Sequence, residues 1–188
     1  MKTLPFNFEL TKYGLHVRLV QESDAEFIVR LRTDSRLSRF IHDTPSSIGR
    51  QVAWIREYKI REHDGIDYYF LFLYEEKSVG VCRIYHISED AFTFGSWVFL
   101  QNIPFWIPIA GAIIGREIGF EILGKKEEHD VDGMHILNSG VISFSRQLGM
   151  NITGERQDNK GTYLTGTLLS EDFEKNKTKF INKFQQKQ

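Results

Sequence analysis

The stretch FTFGSWVFLQNIPFWIPIAGAIIGREIGF, Phe92 to Phe120, decides how the chain is read. It opens as an apolar strand, Gly95 to Leu100, passes through a loop holding Pro104 and Pro108, and continues as small residues leading an apolar helix. A helix N-terminus leaves backbone N–H groups without partners and carries partial positive charge, which makes it a ready phosphate site. Ala110, Gly111 and Ala112 keep side chains out of the way, and Pro108 fits a first turn, where a missing N–H costs nothing. The same residues also read as an ordinary strand, loop and core helix, and a glycine pattern alone does not separate the two readings.

Length and composition narrow the class. With 188 residues the chain reads as a single domain, 1–188, large enough to bury a core. The 15 Phe, 7 Tyr and 3 Trp promise a core and a pocket rich in rings. Basic residues number 24 against 25 acidic, so the clustered basic excess that marks nucleic-acid binding is missing. The amino terminus, MKTLPFNFELTKYG, has no continuous apolar segment of the signal-peptide kind, and a cytoplasmic location is expected. Ile103 to Gly115, the longest apolar run, is interrupted by prolines and too short to span a bilayer, so no membrane insertion is expected. Cys82 is the one thiol, and no Cys/His cluster has metal-ligand spacing, so no metal is expected.

Along the chain, His16 to Val20 reads as a first strand. Ser23 to Glu26 matches a capping box opening a helix that ends near Thr33. Ser46 and Ser47 are N-caps for a second helix, with Ile48, Val52 and Ile55 on one face and an end near Arg61. Tyr68 to Tyr74 and Val79 to Ile87 form a hairpin around Glu75 to Ser78, and Phe92 starts a fourth strand. A helix from about Pro108 to Leu123, a fifth strand at His129 to His135, a helix from Ser139 to Leu148, and a last hairpin, Asn151 to Arg156 with Tyr163 to Leu169, complete the order. The Lys-rich tail, 170–188, is amphipathic at best and expected to fray, with a helix as the other reading.

This order, strand, two helices, three antiparallel strands, helix, strand, helix, hairpin, resembles the GNAT superfamily of acyl-CoA N-acyltransferases. The segment Asn138-Ser139-Gly140-Val141-Ile142-Ser143-Phe144-Ser145-Arg146-Gln147-Leu148-Gly149-Met150 is similar to the superfamily's late run of Asn, a small residue, an apolar helix and Leu-Gly-Phe, with Met150 in place of the Phe. Leu37 to Thr44, Tyr68 to Ile87, Phe94 to Trp97 and His129 to Val131 further resemble a branch that acylates nucleotide-linked (dTDP or UDP) amino sugars for surface polysaccharides such as O-antigen. The resemblance implies an α/β (α+β) single domain with a mixed, twisted sheet of about seven strands and about four helices. It also implies that the fourth and fifth strands splay apart.

The rest of the expected site comes from that resemblance. The pantetheine of acetyl-CoA, or of a longer acyl-CoA such as a hydroxyacyl-CoA, would pair with the fourth strand at Trp97, Val98, Phe99 and Leu100. The pyrophosphate would sit at Ile109, Ala110, Gly111 and Ala112, with Asn138 and Phe144 also toward the cofactor. The superfamily's basic anchor is missing there, and Arg146 or Arg116 is expected to supply charge. An N–H of Val98 or Phe99 would polarise the thioester carbonyl. The usual thiolate-protonating Tyr is Ser145 here, so Ser145 would relay a proton through water, a group such as Tyr85 would substitute, or the thiolate would need little help. His42, Asp43, His86 and Asp130 are the candidate bases, and Asp130 is also a candidate to hold the acceptor. Arg36, Arg39 and Arg83 favour an anionic acceptor; Arg39 and Arg83, with Tyr85 and Trp97, would line its pocket.

Three functions stay open at this level. The first is transfer of an acyl group to a nucleotide-linked amino sugar, the second an N-acetyltransferase for a protein amino terminus or a small amine, and the third a silent acyl-CoA sensor. Many members pair, so a homodimer is one assembly the resemblance implies.

Overall fold

Aromatic and branched residues fill nearly every position from Asp67 to Tyr74, and a strand with no polar face must be covered on both sides. In the computed structural model, which describes residues 2–41 and 44–185, it is. The elements in order are β1 (Glu9–Lys12), β2 (Leu15–Leu19), α1 (Ala25–Thr33), α2 (Ile48–His63), β3 (Asp67–Tyr74), β4 (Lys77–Tyr85), β5 (Ala91–Phe99), α3 (Trp106–Glu117), β6 (Glu127–His135), α4 (Ser139–Leu148), β7 (Asn151–Asp158), β8 (Gly161–Leu169) and α5 (Ser170–Gln185). The strands lie side by side as β1-β2-β3-β4-β5-β6-β8-β7. Every pairing is antiparallel except β5 with β6.

Side-chain alternation divides the core in two. Tyr68, Phe70 and Phe72 of β3 face a large core beneath α3, α4 and α5, whereas Tyr69 and Leu71 face a smaller core beneath α1 and α2. On β5 the parity switches. Phe92 and Phe94 point into the large core, and so does Phe99, while Val98 points into the small one. One extra residue accounts for this: Val81 stands opposite Val98 and Arg83 opposite Gly95, and Ser96 takes a φ of 49°. β5 therefore carries a bulge, which bends it where it leaves its neighbour.

Helix α3 lies close to the sheet because a row of glycines, Gly111, Gly115 and Gly119, receives the rings of Phe99, Phe94 and Phe92. Beyond Glu117 the helix widens into a π turn, Ile118–Ile122. The observed helix starts at Trp106, two residues before the expected Pro108.

The sheet has eight strands and the chain five α-helices among the described residues, one more of each than expected. The added strand, β1, forms a tight hairpin with β2 through Tyr13 and Gly14, both at positive φ. The added helix is the tail: α5 buries Phe173, Phe180 and Phe184 against the large core and does not fray. The Ser23–Glu26 capping box does not form. Instead the Asp24 carboxylate accepts the Gln21 N–H at 2.7 Å and two N–H bonds from Arg18, both at 2.8 Å. Ser47 caps α2 by accepting the Arg50 N–H at 3.3 Å.

The glycine row gives a stability prediction. A Cβ at Gly115 would lie 2.6 Å from Phe94 Cε2 and 3.0 Å from Cys82 Sγ, both buried. Gly115→Ala should lower unfolding free energy by about 1–3 kcal/mol despite the helix propensity it gains. At Gly140, where nothing lies within 4 Å, the same change should be neutral or stabilising in urea denaturation.

Candidate active site

The site begins where β5 and β6 part. Only Ala91 with Glu127 and Phe92 with Glu128 are paired. The Thr93 hydroxyl donates to the His129 carbonyl at 2.8 Å, and the strands then separate, as the splay expectation required. On the β5 side of the opening, the Leu100 N–H donates to the Val79 carbonyl at 2.9 Å, and Val98 is opposite Val81. Alternation along an antiparallel ladder turns the Val98 N–H toward β4 and the Phe99 N–H toward the split. Of the two donors named from sequence, Phe99 therefore has the exposed edge, and Val98 is corrected to a ladder residue.

On the β6 side the strand bulges. Asp130 is opposite Gly166 and Met134 opposite Leu164, so residues 131–133 loop outward and aim Asp130 and Asp132 into the opening. Gly133 has a φ of 79°, and its N–H reaches Asp130 Oδ1 at 2.9 Å. A side chain there would press on Tyr163 Cβ at 2.8 Å, so the turn needs glycine.

The resulting cleft, about 150 Å³, is lined by Ser96, Trp97, Asp130, Asp132, Asn138, Ser145 and Arg116, with Phe40, Met134 and Tyr163 at one end. Burial pushes the Asp130 carboxyl up to about 7; Glu128 and Asp132 add to this, and the Gly133 N–H and Arg116 oppose it. Trp97 is fixed by its indole N–H on the Pro108 carbonyl at 2.9 Å and by the Phe144 ring at 5.4 Å.

A second cavity of about 290 Å³ adjoins the first and is lined by Arg32, Arg50, Gln51, Trp54, Tyr69 and Arg83. Arg32, Tyr85, Ser96 and Asp132 belong to the walls of both. The partition between them is a hydrogen bond from the Tyr85 hydroxyl on β4, passing over Gly95, to Asp132 on β6. Burial and the Asp132 carboxylate push the Tyr85 phenol well above its ordinary value, so it stays a donor. Arg83 lies over the rings of Tyr85, Trp54 and Tyr69 at 4.8, 5.2 and 5.9 Å and donates to Asp67 at 2.5 and 3.2 Å. Arg61 also donates to Asp67, at 3.0 Å, so two guanidinium groups share one carboxylate and leave positive charge at this wall. The Tyr69 hydroxyl, fully buried, has no hydrogen-bond partner among the described residues.

The fold thus brings Asp130, Ser145, Asn138, Trp97 and Tyr85 to one cleft and Arg83 to its neighbour. Other expected residues fall elsewhere. Ala110, Gly111 and Ala112 are buried in the second turn of α3, where their amides bond within the helix, and Gly111 makes room for Phe99 rather than for a phosphate. Ile109 is half-buried against the large core. In the first turn the Ile107 N–H is spent on the Pro104 carbonyl at 3.0 Å, and Pro108 has none. Arg146 lies on the far face of α4, beside Ser143 and Gln147. Arg39 is exposed over Phe40 and in neither cavity, Arg36 pairs with Asp34 in solvent, and His86 is exposed against Tyr85. Arg116 is committed to Glu128 and does not serve as a phosphate anchor. His42 and Asp43 lie outside the described residues.

Sequence reasoning missed Arg32, Trp54, Glu128 and Asp132. For the last two a signal existed: Glu128, Asp130 and Asp132 occupy alternate positions of one strand, a row of carboxylates that a packed core would not accept. Among the described residues no group of His, Cys, Asp or Glu is placed to hold a metal ion, and no helix is long and apolar enough to cross a membrane.

No protein-family profile matches the sequence, and no curated protein matches it by sequence. Solved structures do. Apo FdhC, a nucleotide-linked sugar GNAT, superposes with a TM-score of 0.81 at 29% identity over 93% of this chain and 97% of its own. The ribosomal-protein-S5-alanine acetyltransferase from Vibrio fischeri gives 0.74 at 14% identity, covering 89% and 99%. Spermidine N-acetyltransferase from Vibrio cholerae, in complex with CoA and spermine, gives 0.68 at 13% identity, covering 86% and 99%. The last two share the fold. The parted strands, together with a likeness to FdhC that runs nearly end to end in both chains, place this protein in the GNAT superfamily of acyl-CoA N-acyltransferases.

Proposed function

We propose that the protein transfers an acyl group from acetyl-CoA or a longer acyl-CoA to the amine of a nucleotide-linked amino deoxysugar. The observation that carries this reading is the pairing of the two cavities. One lies in the strand split beside an unpaired edge and a carboxyl that titrates near neutrality, and the other holds arginines and aromatic rings suited to an anionic acceptor with a planar base. The likeness to FdhC supports the same substrate class.

In this mechanism pantetheine adds as a short strand to the free edge of β5, and the Phe99 N–H donates to the thioester carbonyl oxygen. The acceptor's amine reaches past Tyr85 and Asp132. Asp130 takes one proton from its ammonium, and the freed lone pair attacks the carbonyl carbon. The tetrahedral intermediate loses the nitrogen's second proton, collapses to the amide and expels the thiolate, which takes up that proton; the Ser145 hydroxyl, lining the cleft, passes it through water. A base titrating near 7 is suited to this transfer at neutral pH. The superfamily's basic phosphate anchor has no counterpart in α3, so cofactor binding rests on the β5 edge and on the cleft walls.

Thiol release tests the reading. The protein mixed with an acyl-CoA should turn over nucleotide-linked 3-amino or 4-amino deoxysugars and leave peptides and polyamines untouched. Turnover on peptide alone would replace this acceptor class, and tight CoA binding with no turnover on any amine would replace catalysis by sensing.

Asp130→Asn separates function from stability. It should lower kcat by about 10²–10⁴-fold. Between about pH 4 and pH 7 the folded protein holds a proton on Asp130 that the unfolded chain has released, because the value rises from 3.8 to about 7 on folding. Stability contributed by this group therefore falls as pH rises through that window. The Asn variant should match the parent near pH 4 and exceed it by about 2–4 kcal/mol above pH 7 in denaturant titrations.

A further inference from the structure

Below Asp130, at the base of the split, lies an ion pair that the chemistry above does not use. Glu128 is 1% exposed and Arg116 3%. Two N–H groups of Arg116 meet the two carboxylate oxygens at 2.7 and 2.9 Å. An N–H on its third nitrogen reaches the Ala112 carbonyl at 3.4 Å, and the guanidinium lies over the Phe94 ring at 4.1 Å and near Phe144 at 5.9 Å. Burial pushes the Glu128 carboxyl above its ordinary value, and the Arg116 fork, in which both oxygens accept, pulls it back toward the ionised form. Burying such a pair gains little for stability, since apolar residues of the same volume would fill the space as well or better.

The pair's position supplies the reason for keeping it. Glu128 and Asp130 are two residues apart on β6 before its bulge, so they face the same side at roughly 7 Å. The negative end of the pair is on the strand that carries Asp130, and the positive end is set back on α3. The other groups facing Asp130 are few. Asp132 is engaged by Tyr85, and Arg32, Tyr163 and His135 line the far wall. His135 has both ring nitrogens spent, one on the Leu137 N–H at 3.1 Å and one on the Lys160 carbonyl at 3.2 Å. Glu128 is thus a negative charge two residues along the strand that is fixed by a cation rather than by Tyr85.

We propose that Glu128 and Arg116 are positioning residues for the transfer: the Glu128 carboxylate, fixed by the Arg116 fork on the face of β6 that carries Asp130, keeps Asp130 basic enough to take the proton of the substrate ammonium. The inference rests on Asp130 as the base. Among the charges acting on Asp130, Glu128 outweighs Arg116, in line with the pair's orientation.

The test is Glu128→Gln, which keeps the shape of the side chain and removes its charge. The acidic limb of kcat/KM against pH should move down by about 1–2 units, the size of one charge at roughly 7 Å in a protein-like medium. In the free protein, the carboxyl-carbon NMR titration of Asp130, identified by its loss in Asp130→Asn, should move down by the same amount. Should Glu128→Gln fail to fold because Arg116 loses its partner, Arg116→Gln with Glu128→Gln replaces the pair by two amides and should give a smaller shift in the same direction. Loss of activity with limb and NMR midpoint both unmoved would make the pair purely structural and overturn the inference. The NMR midpoint stands apart from catalysis, so full activity in Asp130→Asn would refute the base while leaving the electrostatic coupling separately measured.

Discussion

The separation of β5 from β6 after two parallel pairs is the constraint on which the rest of the molecule depends. A sheet edge opened inside a fold exposes backbone donors that must be satisfied or used. Here the opening is fixed from both sides. The bulge at Ser96 bends β5 away, and the outward loop 131–133 bends β6. At the fork the Arg116–Glu128 pair is wedged between α3 and the strands, and truncating either member would strand a buried charge at a cost of about 3–5 kcal/mol. Farther out, Tyr85 and Asp132 bridge the same opening from a third strand. The glycine row of α3 lets the helix lie low enough for Arg116 to reach the fork.

This arrangement trades stability for chemistry in identifiable places. Among the described residues, a carboxyl at Asp130 without a cation of its own, a buried Tyr69 hydroxyl without a partner, and a non-glycine residue at positive φ in mid-strand are each unfavourable alone. All three lie in the walls of the two cavities or border them.

Much of the fold was legible because local signals agreed with one another. Helix α4 runs from Ser139 to Leu148 as read, and Gly149 closes it at a φ of 105°. For α5 the sequence left a helix and a frayed tail both open, because its many Lys residues mask the stripe that Phe173, Phe180 and Phe184 form at helical spacing. The phosphate cradle failed for a different reason. A small residue at a helix start can make room for a ligand or for a ring, and at Gly111 only the position of Phe99 decides which. Asp130, Ser145 and Asn138 were found through the resemblance. Arg32 and Trp54 were not, because the cavity they line exists only once α1 and α2 have packed across the sheet.

The most direct test of the central claim is a crystal structure with a non-hydrolysable thioether analogue of acyl-CoA. The account predicts pantetheine bonded along the free edge of β5, with the acyl oxygen on the Phe99 N–H and the acyl carbon facing Asp130. An analogue bound away from the split, or an acyl group turned from Asp130 with Phe99 unengaged, would contradict it.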